Sequence, residues 1–147
     1  MPPSTSPTGI GVIRDRLHAL GFGTGTRDGE LIVIVGELTY WFKVCKPGDR
    51  LTVTTAYPRP LQGRTETLAG ELLSAALNGI PGPGKVSLLP DVGILTVTFD
   101  FPLGAPIPAE ELDEFILEAL STGVIVAERI SAELDPLIRR VEDMTRT

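Results

Sequence analysis

Residues 30–57 read ELIVIVGELTYWFKVCKPGDRLTVTTAY, and the fold turns on this stretch. Glu30–Val35 is rich in β-branched residues, Leu38–Lys46 alternates apolar with polar, and Leu51–Tyr57 alternates again. The connectors are short, with Pro47-Gly48-Asp49 marking one turn, and none has room for a crossover helix. Successive strands joined this way pair antiparallel. Upstream, Asp28-Gly29 is a further turn signal, which would let Phe22–Arg27 add a short extra strand.

On the N-terminal side, Ile10, Ile13, Leu17 and Leu20 recur at helical spacing and Gly21 supplies a stop, so a first helix of about three turns precedes the strands. Residues 1–8 are rich in proline, serine and threonine. They lack the basic start and apolar stretch of a signal peptide, and read as a mobile tail. On the C-terminal side, Pro58-Arg59-Pro60 ends the strand run. Leu68, Leu72, Leu73, Ala76 and Leu77 then define a helix over about Thr65–Asn78. Two strands follow, Lys85–Leu89 and Ile94–Phe101, around a Pro90–Gly93 turn. Pro108 is suited to the first position of a last helix, whose stripe runs Leu112, Ile116, Leu120, Ala127, Ile130, Leu134, Leu137, Val141. Gly123 and Pro136 are the two places where that helix could break. The order α-β-β-β-α-β-β-α predicts an α+β fold, an antiparallel sheet with helices packed on one face, as a single domain over residues 9–144.

The 147 residues carry a net charge of −6 with 42% apolar side chains, a make-up that excludes a disordered chain. The longest strongly apolar run, Leu31–Val35, is far short of the roughly 20 residues that cross a bilayer, so no membrane role is expected. One cysteine and one histidine exclude a disulfide framework and any metal site built from several Cys or His ligands. No cofactor is expected. The charge is unevenly placed. Residues 1–107 hold nine bases and nine acids, whereas residues 108–147 hold ten acids against four bases. An acidic chain with no basic run argues against nucleic acid as a partner, and a lone thiol fits the cytoplasm.

Several motifs fail on inspection. Gly79–Lys85 matches most of a phosphate loop. However, Val86 stands where Ser or Thr must reach Mg²⁺, and the segment leaves a helix and enters a strand, the reverse of what phosphate binding requires. His18 lies at the edge of an apolar stripe with no nucleophile marked beside it, and Cys45 sits near Lys43 and Lys46 on the wetter strand face. An enzyme or small-ligand receptor using Cys45 or His18 in a pocket near the sheet is the alternative reading, but no convergent catalytic spacing supports it. Glu110, Glu114 and Glu118 form an acidic strip on the last helix, read as a solvated face.

Two apolar features fit an isolated globule poorly. The strand face bearing Thr39, Thr52, Thr54, Thr96 and Thr98 should be wet, yet Ile32, Ile34, Trp41 and Cys45 point the same way. Trp41 is either a contact spot or covered by the N-terminal segment or a loop. The second feature is Val124-Ile125-Val126-Ala127, which surrounds the helix axis with apolar groups. A second chain could cover it, or the helix breaks at Gly123 and its halves pack separately. Ile32, Ile34, Trp41, Val124, Ile125 and Val126 are therefore the candidate protein-contact residues.

The succession of short motifs resembles the YbjN family, small bacterial proteins described as candidate sensory transduction regulators, with a fold similar to type III secretion chaperones. Leu17–Phe22, Arg27–Val33 and Tyr40–Val44 carry the resemblance, followed by Glu71–Asn78, Gly84–Leu88, Phe99–Leu103 and Ile107–Leu112. The resemblance implies a non-enzymatic protein-binding or regulatory module, a homodimer, and no catalytic or ligand residues to carry over. Its protein partner is not specified by the sequence.

Overall fold

Asp28 and Gly29 both take positive φ (52° and 79°), the backbone that a tight two-residue hairpin demands. They join β1 (Gly25–Arg27) to β2 (Glu30–Val35), so the Asp28-Gly29 signal does mark a short extra strand. Gly36 (φ 61°) then turns the chain into β3 (Leu38–Cys45), which is followed by β4 (Arg50–Ala56). The computed structural model describes residues 9–46, 49–79, 84–89, 91–104 and 107–146. The expected 1–8 tail, the Pro47-Gly48 and Pro90 parts of the expected turns, and residues 80–83 of the segment that resembles a phosphate loop lie outside these residues.

The remaining elements are α1 (Ile10–Ala19) before the sheet, then α2 (Gly63–Asn78), β5 (Gly84–Leu89), β6 (Ile94–Pro102) and α3 (Ala109–Thr145). The sheet is antiparallel throughout, in the order β1-β2-β3-β4-β6-β5. The register pairs Tyr40 with Thr55 and Thr55 with Val97, and aligns Phe42, Val53 and Phe99. Tyr40, Phe42, Val53, Val97 and Phe99 thus face one way and are buried. Ile13 and Leu17 of α1, Ala69 and Leu73 of α2, and the α3 stripe from Leu112 to Val141 form the core with them. Each Leu or Ile so buried contributes roughly 1.5–3 kcal/mol. This is the α+β arrangement with helices on one sheet face.

Three local readings need correction. Helix α2 begins at Gly63, not Thr65. Its Leu68 and Leu72 are exposed, because the helix is turned so that Ala69, Gly70 and Leu73 face the sheet. A Cβ on Gly70 would strike Leu61, so the small residues let α2 sit close, and the apolar stripe read from the leucines was rotated from the buried one. Pro108 precedes the helix as its N-cap, in extended conformation, and does not occupy the first helical turn.

The last helix is continuous over 37 residues, about 55 Å, through both Gly123 and Pro136. Its N-terminal end is tied to α1 by Arg16, whose Nε and Nη2 donate to the two carboxylate oxygens of Asp113 at 2.9 and 2.6 Å. That fork lowers the pKa of Asp113 through the hydrogen bond first and the nearby charge second, and raises that of Arg16.

Candidate functional site

The middle of α3 carries the site. Val124, Ala127, Glu128, Ser131 and Ala132 fall along one helix face and form one wall of a largely apolar groove of about 590 Å³. The facing wall comes from the β2–β3 turn, Val35-Gly36-Glu37-Leu38, and from Tyr57-Pro58, where the chain leaves β4. Proline at position 58 cannot continue the strand, so the chain departs from the sheet here and runs alongside the helix. Two hydrogen bonds one helical turn apart hold this strap to α3. The Tyr57 hydroxyl meets Ser131 Oγ at 2.8 Å, and Arg59 Nη1 donates to Asp135 at 2.7 Å. Arg59 also lies 3.8 Å from Glu66 at the start of α2. The hydrogen bond to Asp135 is the main reason its guanidinium pKa is raised.

The six contact candidates divide between two places. Val124 lines the groove, and Val126 is half-buried against the core. Ile125 stands 59% exposed on the outer side of the helix. The adjacent Ser121 hydroxyl folds back onto the Leu117 and Glu118 carbonyls. Ile32, Ile34 and Trp41 lie on the opposite side of the sheet. Ile32 sits between Gly25 and Trp41 in the register and is only 7% exposed. Ile34 is 59% exposed, and Trp41 is half-buried beside a shallow depression formed with Glu30, Lys43, Thr52 and Thr54. The sheet thus separates the two sets, and only the β2–β3 turn, next to Ile34, reaches the Val124 side.

The residues weighed for chemistry are also placed apart. His18 is exposed on α1 and its Nε2 meets Thr24 Oγ1 at 2.8 Å. Cys45, at the end of β3, projects from the opposite sheet face, with Thr52 Oγ1 at 3.9 Å as its polar neighbour. The fold does not bring the two together. Among the described residues no group of three or more His, Cys, Asp or Glu is placed to hold a metal ion. None of their helices is long and apolar enough to cross a membrane.

Most of the groove escaped the sequence reading. In sequence, Leu38, Tyr57 and Pro58 look like strand and strand-end residues, and Ala127 like part of a core stripe. The available signal was the run of small side chains Ala127, Ser131 and Ala132 on a helix otherwise lined by leucine and isoleucine. Small residues on one helix wall leave room that larger ones would fill.

No protein-family model and no curated protein matches the sequence. Comparison with solved structures finds the crystal structure of YbjN from E. coli, described as a candidate transcription regulator. It superposes with a TM-score of 0.72 at 13% identity, covering 85% of this chain and 93% of that one. The chain has a YbjN-like α+β fold.

Proposed function

We propose that this chain is a non-enzymatic, protein-binding regulatory module that receives a partner polypeptide in the groove beneath Val124 and works as a homodimer. The observation that carries the reading is the groove itself, an apolar trough with one wall clamped by Tyr57–Ser131 and Arg59–Asp135. A pre-formed trough of this kind suits an inserted segment, whose ordering cost is then the main expense of binding. The regulator description of the structural neighbour fits the same reading.

Addition of a strand to the sheet is a poorer route. One edge, β1, is three residues long. At the other edge, the Asn78 side chain already bonds both the N–H and the carbonyl of Val86. Regulation through protein contacts also fits the charges better than DNA binding does. The chain is acidic, and Arg16, Arg59 and Arg129 are each engaged by a carboxylate. The free thiol of Cys45 suits a reducing compartment, which supports a cytoplasmic setting as part of the proposal.

For the homodimer, the supporting observation is the outer strip of α3. Ile125 lies at its centre, with exposed Leu117 to one side. Glu110 and Glu111 stand about 21 Å from Ile125 toward the N-terminus, and Arg139 and Arg140 about 21 Å toward the C-terminus. A two-fold axis at Ile125 pairs each copy's acids with the other's arginines. Ile34 and Trp41, on the far sheet face, lie outside this two-fold contact and would serve a separate protein contact.

The test uses the chain as bait in a lysate of its source cells, beside Ala132→Trp and Pro58→Trp, which fill the groove from opposite walls. Proteins retained by the wild type and lost with both variants are expected. An unchanged set overturns the groove as the docking site. Light scattering checks the dimer separately. Ile125→Lys is expected to yield monomer, and a wild type that is monomeric up to millimolar concentration removes that part of the proposal.

A further inference from the structure

The polar groups around the groove say which partner it takes. Glu37 stands on the turn wall and Glu128 on the helix wall, both exposed at the rim. Among the described residues neither makes an ion pair. The nearby bases, in contrast, are already satisfied: Arg59 by Asp135 and Glu66, and Arg129 by Glu133. Ser131, the remaining polar side chain of the lining, is bonded to Tyr57. Among the described residues, the trough therefore has an apolar floor and a rim of two carboxylates, with no lysine or arginine in its lining.

We infer that the occupant is a basic amphipathic segment, with apolar side chains seated between Val35, Leu38 and Val124 and lysine or arginine side chains reaching Glu37 and Glu128. This deepens the groove reading above and rests on it. An acidic or purely apolar segment would leave both carboxylates facing either like charge or nothing, whereas a basic one gains two charge-assisted contacts at the rim. Long basic side chains also lay their methylene stems along apolar walls. This matches a groove whose floor is apolar and whose charges lie only at the rim.

The test measures binding of a labelled Leu/Lys amphipathic peptide of about four helical turns (roughly 14 residues), together with Leu/Gln and Leu/Glu versions, by fluorescence anisotropy. The Leu/Lys peptide is expected to bind, and Glu37→Gln with Glu128→Gln to weaken it at least tenfold, about 1.4 kcal/mol. Ala132→Trp and Pro58→Trp should abolish binding. Glu110→Gln with Glu111→Gln, far along the helix, should leave it unchanged. If the Leu/Gln and Leu/Lys peptides bind equally well, and the groove-filling variants abolish both, the groove stands and its preference for basic partners is overturned. If the distant Glu110/Glu111 variant weakens binding as much as the rim variant, the effect belongs to the chain's general negative field and the inference falls. If the groove-filling variants leave Leu/Lys binding intact, the groove itself is overturned.

Discussion

Tyr40 occupies the space that a side chain on Gly123 would need. A Cβ on Gly123 would lie 2.8 and 2.9 Å from ring atoms Cε2 and Cζ, with the hydroxyl closer still. That hydroxyl donates to the Leu120 carbonyl at 2.7 Å, within the buried core. The glycine therefore does not break the helix. It gives β3 a place to plant its tyrosine against α3, at the level of the groove.

Gly123→Ala reverses the usual helix rule. In an exposed helix interior, replacing glycine by alanine gains about 1 kcal/mol. Here the added methyl overpacks a closed contact, which typically costs 1–3 kcal/mol, so a net loss of stability is expected in urea unfolding. Tyr40→Phe alone should cost about 1 kcal/mol for its hydrogen bond. In the double variant the nearest atom of the clash is gone, so the two losses should sum to more than the double variant shows. Strict additivity would mean that the two residues do not compete for this space.

The same burial pushes the Tyr40 hydroxyl up to about 12 from its ordinary 10.0. The folded state then holds its proton more tightly than the unfolded state does. The stability so contributed is fully present below pH 10.0 and is lost as the pH rises toward 12. Two pKa units amount to roughly 3 kcal/mol. In Tyr57→Phe, where Tyr40 is the remaining tyrosine, phenolate absorbance should appear only together with alkaline unfolding. Its appearance near pH 10.0 with the fold intact would contradict the buried setting.

How much of this was legible in the sequence follows from the range of the forces involved. The expected strands Glu30–Val35 and Leu38–Lys46 match β2 and β3 to within a residue, since alternation and turn chemistry are local. The α3 stripe was legible for the same reason. In sequence Gly123 looks like a weak point, because the reason for it, Tyr40, lies 83 residues away and only the folded chain brings them together. Leu68 and Leu72 misled because Ala69 and Gly70 win the sheet-facing side through close approach, which hydrophobicity does not register. The groove was the least legible part. Its walls come from three separate segments, and its two rim carboxylates are ordinary surface glutamates until Tyr57-Pro58 is laid beside the helix.

Arg16 and Asp113 govern the acid side. The fork from Arg16 holds the Asp113 carboxyl below its ordinary 3.8. A carboxylate whose folded pKa is depressed contributes stability above the unfolded value, and this is lost as the pH falls through the lowered one. Wild type should therefore lose its advantage over Asp113→Asn progressively as the pH drops below 3.8. Parallel stability curves for the two proteins across about pH 5 to 2 would show that the fork contributes nothing. Because the pair ties α1 to the start of α3, Arg16→Ala should also speed amide exchange in α1 before it affects the sheet.

Asn78, the last residue of α2, makes a different long-range claim. Its amide donates to the Val86 carbonyl at 2.6 Å and accepts from the Val86 N–H at 2.8 Å, filling the place where another strand would pair with β5. An open strand edge is a template for association, and natural sheets protect theirs. Asn78→Ala frees both backbone groups at once, with an expected cost of about 1–2 kcal/mol. Amide exchange at Val86 should accelerate while its neighbour Val97 on β6 stays protected. Concentrated samples should then gain large species in light scattering that the wild type lacks. Asn78→Asp separates the two bonds, because it keeps the acceptor for Val86 N–H and loses the donor to the carbonyl. Its Val86 amide should remain slow. If Val86 exchanges at the wild-type rate even in Asn78→Ala, the side chain is not what closes this edge, and strand addition at β5 returns as a competitor to the groove.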